Sequence, residues 1–322
     1  MEIDTLQGLP LGGIKQWIRV RGADASNPVL LLMQQGPGLP IINDAQRLEH
    51  LLELEKAFTV VYWDQRGTGL SSPPLRTNPE RFEISVERMV DDTVTLLELL
   101  RNRFGAKAFV TGFSFGATFA AYAAARRPEL VAALVATGMD IDVAAAENNA
   151  YAFALATARR RGNRRAIRQL EAIGPPPHTT VTRFTTRARW VYNFGGVATN
   201  ANFNSMLRSL LVSLVRSPDY STADVIRTLR GMRASQAALL PQLATTDLVR
   251  TVPRLAVPLV MAQGRLDQVA PGEAAQRFHD SLTAPSKQLV WFEKSAHTPH
   301  LEESAKFRDL LMNLRTSGLA IT

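Results

Sequence analysis

The chain of 322 residues is 46% hydrophobic and 20% charged, the composition of a soluble globular protein with a sizeable buried core. It has no cysteine, which excludes disulfides, a thiol nucleophile and thiolate metal sites. No apolar run reaches the ~18 residues of a membrane span. No basic segment followed by an apolar run opens the chain, so a cytoplasmic protein without a signal peptide is expected. The net charge of +8 is unevenly placed: between Ile141 and Arg250 stand 15 arginines, no lysine and 6 acids. That segment carries +9 and leaves −1 for the remainder, an asymmetry that marks a second module.

In chain order, Lys15–Val20 mixes polar and apolar residues as a half-exposed edge strand of a strand pair does. Pro28–Met33 is wholly apolar and suits a strand covered on both faces. It ends in the tight loop Gln34-Gln35-Gly36-Pro37-Gly38. A helix from about Asn43 to Lys56 leads to a second buried strand, Phe58–Trp63, which stops at the polar turn Asp64-Gln65-Arg66-Gly67-Thr68-Gly69. After a loop with Pro73, Pro74 and Pro79, apolar residues from Val86 to Leu100 recur at helical steps, and Gly105 closes that helix.

Next comes Phe109-Val110-Thr111-Gly112-Phe113-Ser114-Phe115-Gly116-Ala117-Thr118, a buried strand turning through Gly-x-Ser-x-Gly into a helix that runs to Arg127. This is the pattern of a nucleophile elbow, a tight turn that lifts a serine out of the sheet. A random chain of this length holds Gly-x-Ser-x-Gly about 0.1 times at ordinary glycine and serine usage. The strand before it and the helix after it lower that further.

A third buried strand, Ala132–Gly138, continues a β–α alternation that predicts a parallel sheet with helices on both faces. From Met139 to Val257 the alternation gives way to a mainly helical insertion. It resumes with Val257–Ala262, a helix Gly272–Leu282, the strand Gln288–Phe292, and a last helix burying Phe307, Leu310, Leu311 and Leu314. The expected division is a core of residues 1–138 and 258–322 around a helical cap of residues 139–257.

Functional groups in such a sheet gather at the carboxyl ends of its strands. A serine nucleophile needs a histidine base and an acid to orient it, in the chain order Ser…Asp…His for this architecture. His297 lies in the loop after the last strand and is the expected base; His300 follows it, and His279 falls inside a helix. Asp267, after the penultimate strand, is the expected acid. Asp140, after the strand that follows the elbow, is its rival.

The elbow, Asp64-Gln65-Arg66-Gly67-Thr68-Gly69-Leu70-Ser71, Gly264-Arg265-Leu266-Asp267 and Ser295-Ala296-His297-Thr298-Pro299, together with Ser217–Ser221 and Gly231-Met232-Arg233 in the insertion, resemble the proline iminopeptidase-like group of α/β-hydrolases. The resemblance covers nearly the whole chain. It implies an α/β-hydrolase fold with an eight-stranded, mostly parallel sheet and a helical cap, with Ser114, Asp267 and His297 as the triad. It also implies an oxyanion hole from the backbone N–H of Phe115 and one near Gly36, and no cofactor or metal. The chain departs from the group in one loop, where the usual His-Gly-Gly-Pro-Gly is replaced by Gln34-Gln35-Gly36-Pro37-Gly38. A backbone donor survives such a change, while Gln35 brings an amide side chain to the pocket.

The insertion is short of the acids that hold a protonated amine best; Glu147, Glu171, Asp219 and Asp224 are its candidates. An ester, amide or lactone of a small molecule therefore fits the chain at least as well as a peptide, and a lyase or cyclase on the same pocket is a further alternative. Gln35, Phe113, Trp190 and Tyr192 are candidate substrate contacts. The run Arg159–Arg165 has no interleaved aromatics for stacking bases and reads as a solvated helix face. Neither nucleic acid nor membrane is an expected partner.

Overall fold

The computed structural model describes residues 1–76 and 82–317. Pro79 and the last five residues of the expected core lie outside them. Eight strands form one sheet: β1 (Ile3–Leu11), β2 (Ile14–Gly22), β3 (Val29–Met33), β4 (Thr59–Asp64), β5 (Ala108–Phe113), β6 (Val131–Thr137), β7 (Leu259–Gly264) and β8 (Lys287–Phe292), in the order β1-β2-β4-β3-β5-β6-β7-β8. β2 runs antiparallel to β1 and β4, and every other neighbouring pair is parallel.

β3 and β4 are buried at every position, as strands in the middle of a doubly covered sheet must be. The Lys15–Val20 run, expected at an edge, is the second strand in. β1 covers its outer side, so Gln16 is fully buried and bonds to Asp92 and to the Leu11 carbonyl. The edge position falls to β1.

Two apolar layers cover the faces. One packs α2 (Val86–Phe104), α3 (Phe115–Arg126) and α10 (Gly272–Ser281) on the sheet; the other packs α1 (Ala45–Leu52) and α12 (Ser304–Ser317). Between β6 and β7 lie α4 (Val143–Arg160), α5 (Arg164–Ile173), α6 (Val181–Asn193), α7 (Phe203–Arg216), α8 (Thr222–Leu243) and the short α9 (Leu248–Thr251). The short α11 (Pro299–Glu302) precedes α12. Asp142, Asn163, Thr180, Asn202 and Ser221 each cap a helix of this insertion by accepting a backbone N–H, which explains how a polar, arginine-rich stretch divides into discrete helices. Ala150, Ala154, Ala158, Leu170, Trp190, Val191 and Phe194 give it a small core of its own.

Polar links dock this cap on the strand ends. Asp64, fully buried at the end of β4, accepts from the backbone N–H groups of Ile41, Ile42 and Leu70 and from the Tyr220 hydroxyl. Arg19 pairs with Asp219 at 2.7 Å, and Arg227 donates to the carbonyls of Leu70 and Ser72. The sequence marker Ser217–Ser221 is thus a docking segment.

Candidate active site

Ser114 follows β5 directly and takes φ 53°, ψ −128°, a positive φ that a side chain adopts only where its surroundings hold it there. Its flanking glycines show why the turn can close. A Cβ on Gly112 would lie 2.4 Å from the Cα of Ala117, and one on Gly116 would lie 2.2 Å from the Gln34 carbonyl oxygen. Strand, helix and the Gln34–Gly38 loop therefore meet with no room for a methyl group. None of the backbone N–H groups of Phe115, Gln35 and Gly36 has a partner among the described residues.

Asp267, in the turn after β7, is held by its own loop: one carboxylate oxygen accepts the N–H groups of Val269 at 2.7 Å and Ala270 at 2.9 Å. The other lies 2.8 Å from His297 Nδ1. Burial pushes the His297 imidazole down, but the charge and hydrogen bond of Asp267, with help from Asp140, outweigh it and leave the pKa raised. Gly138, at the end of β6, makes room for this ring. Its φ is +52°, and a Cβ there would stand 3.0 Å from His297 Nδ1.

The histidine loop is clasped from two sides. Glu302 accepts from the Ala296 N–H and, through its other oxygen, from the backbone and hydroxyl of Thr199 in the cap. Glu303 accepts from Lys294 N–H and Ser295 Oγ, while the His297 N–H donates to the Val197 carbonyl at 2.9 Å. Sequence reasoning could not have found Val197 or Thr199, which act largely through the backbone across long separations. His300 is buried against the Phe113 ring at a 4.1 Å centroid distance. Desolvation, with Arg47 and His297 nearby, drives its pKa down to about 3.

Asp140 is the member that sequence order ranked second. Its Oδ2 accepts the Ser114 hydroxyl at 2.8 Å, so in this structure the serine proton is directed at Asp140 rather than at His297. Burial raises the Asp140 carboxyl to about 6; the His297 charge and the serine hydrogen bond oppose that rise. Ser114, Asp140, Asp267 and His297 thus converge, each less than a tenth exposed.

Other expected contacts lie as follows. Phe113 packs against His300 and Phe307, and Trp190 stacks on Phe194 in the cap core with its indole N–H on Gln169. Tyr192 meets Phe203 edge-on in the cap. Gln35 is half-buried beside a cavity of ≈ 10 Å³ lined by the Gln34–Gly38 loop, room for about one water. Gln34 turns away toward the Asp64–Gly69 turn and donates to Thr68 Oγ1 at 3.1 Å. No cluster of His, Cys, Asp or Glu able to hold a metal occurs among the described residues.

A nucleophile elbow, a carboxylate–imidazole pair and a helical cap on this eight-stranded sheet define the α/β-hydrolase class. The profile of the serine aminopeptidase S33 family matches residues 44–304, and the chain belongs to that family of hydrolytic enzymes. It is 28% identical to a probable aminopeptidase, YbaC, of Bacillus subtilis over 96% of this chain and 95% of that protein. Identity to the proline iminopeptidase of Heyndrickxia coagulans is 25%, over 87% of both chains. The fold superposes on a proline iminopeptidase-related protein of Thermus thermophilus with a TM-score of 0.65 at 18% identity, covering 98% of each chain. The protein is a proline iminopeptidase-like α/β-hydrolase.

Proposed function

We propose that the protein is a serine hydrolase that cleaves an ester, amide or lactone bond of a small molecule through an acyl-enzyme. The observation that carries this reading is the 2.8 Å contact of His297 Nδ1 with a buried Asp267, together with a serine held at positive φ at the end of β5. Asp267 fixes the imidazole so that Nε2 is the free nitrogen, and Nε2 takes the proton of Ser114 as Oγ bonds to the substrate carbonyl carbon. The N–H groups of Phe115 and Gly36 receive the developing oxyanion. Collapse breaks the bond to the leaving group, which takes the proton from His297. Water, deprotonated by the same nitrogen, then attacks the acyl carbon, and Oγ recovers its proton as the acid departs.

Intact-protein and peptide mass spectrometry after treatment with a fluorophosphonate test this directly. One adduct per chain is expected, on the peptide bearing Ser114; an adduct elsewhere, or none, would remove the nucleophile from the scheme.

The base must be neutral to act, and its pKa is raised above the usual 6.5. Activity is therefore expected to fall as pH drops through a value above 6.5, measured as kcat/KM against pH. A profile flat from about pH 8 to about pH 5 would contradict His297 as base.

The names of the relatives favour acyl groups that carry a free amine, a narrower reading. In proline iminopeptidase-type cleavage the same acyl-enzyme forms on an amino-terminal residue.

A further inference from the structure

An amine-bearing acyl group needs an anionic partner, and the four candidate acids of the cap are engaged elsewhere. Glu147 is paired with the buried Arg187, Glu171 with Arg159, Asp219 with Arg19 and Asp224 with Arg227. Asp140, hydrogen-bonded to the Ser114 hydroxyl itself, lacks a cationic partner of its own among the described residues. It is 4% exposed, and among the described residues its side chain accepts a single hydrogen bond, from Ser114.

The cations acting most strongly on Asp140 are His297 and Arg187. Each is already bound to another carboxylate, His297 to Asp267 and Arg187 to Glu147. With His297 neutral, as a base must be, Asp140, Asp267, Glu147 and Arg187 sum to −2. Burying such a surplus is costly unless a cation completes it.

Resting on the acyl-enzyme reading above, we propose that Asp140 is the binding site for a cationic nitrogen α to the scissile carbonyl, and that filling it releases the Ser114 hydroxyl to His297. The reach is right. In the acyl-enzyme the carbonyl carbon is bonded to Oγ, and an α-nitrogen lies two bonds further, about 2.5 Å from that carbon. Asp140 Oδ2 stands 2.8 Å from the same Oγ, within one hydrogen bond of such a nitrogen. In the free enzyme Asp140 and His297 compete for one proton donor. An ammonium offers Asp140 several N–H donors and a full charge, so the hydroxyl turns to the imidazole. A neutral acyl group leaves the serine where it is.

The test compares the phenyl esters of L-alanine and isobutyric acid, which differ by ammonium against methyl at one carbon. At about pH 7 an α-ammonium (ordinary pKa about 7.7) and Asp140, at about 6, are both largely charged. The wild type is expected to prefer the alanyl ester by about 10²-fold in kcat/KM, the size of a buried charge pair. In Asp140→Asn that ratio is expected to fall toward one through loss of alanyl turnover, while the variant still reacts with a fluorophosphonate.

Equal rates for the two esters in the wild type would overturn the proposal, and that comparison needs no variant. A preference kept in Asp140→Asn would overturn it too. So would a parallel fall for both esters, which would make Asp140 a positioning residue for the serine alone. Failure of the wild type to react with the probe at all would strike the acyl-enzyme reading instead.

Discussion

Asp267→Asn is expected to lower kcat by about 10⁴ while leaving the fold intact, because an asparagine at that position holds the imidazole in the wrong tautomer. Two features make the variant informative. The backbone donors of Val269 and Ala270 bind the other carboxylate oxygen, and an asparagine carbonyl can keep them. The amide would then face His297 Nδ1 as a donor and force the proton onto Nε2, where it blocks removal of the serine proton. Steady-state turnover of an activated ester, with unfolding by denaturant as a control, measures this. The companion variant Asp140→Asn is expected to keep the probe reaction and lose selectivity. Were Asp140→Asn alone to abolish turnover of every substrate, the orienting acid would be Asp140.

The second large effect concerns stability. Asp92→Ala is expected to cost about 3–5 kcal/mol, because it strands Arg66 as a buried charge. The two residues are 0% and 2% exposed and meet bidentately, with Arg66 Nε at 2.8 Å and Nη2 at 3.1 Å from the two carboxylate oxygens. Gln16 adds a donor at 2.6 Å and the Gly12 carbonyl accepts from Arg66 at 2.7 Å. Removing one member leaves polar groups that water cannot reach. Replacing both, as in Arg66→Met with Asp92→Leu, should restore most of the loss, since an apolar pair in the same space leaves no orphan. Urea unfolding of the two variants decides it. A loss under about 1 kcal/mol for Asp92→Ala would mean that the pair is solvated and weak.

Much of the fold could be read from local pattern. The apolar runs at Pro28–Met33 and Phe58–Trp63 become β3 and β4 because a strand covered on both faces has no alternation to hide. Gly-x-Ser-x-Gly carries its own geometry, since each glycine answers to a close approach inside the motif or one strand away. The place of β2 was harder. Its mixed pattern suits an edge, and the partner that satisfies the buried amide of Gln16 most closely, Asp92, is 76 residues away.

The site divides in the same way. His297 and Asp267 follow from chain order, and the structure brings them together. The contact between Ser114 and Asp140 depends on how far the loop after β6 folds back over the elbow, which no local signal reports. The pairing of the cap acids was equally invisible: Arg19 and Asp219 are 200 positions apart, and Glu147 meets Arg187 across 40. Counting charges gave a cap short of acids. Their pairing shows only in three dimensions, and it leaves Asp140, just past the end of β6, without a cation of its own.

The hydrogen bond from the His297 N–H to the Val197 carbonyl makes the cap part of the base's own scaffold. Thr199 on Glu302 extends the same seam, since Glu302 also holds the N–H of Ala296. Lifting residues 197–199 to admit substrate would therefore slacken the loop that aims the imidazole. A strain placed on either end of that seam would thus be felt at the His297 ring as well as in the insertion.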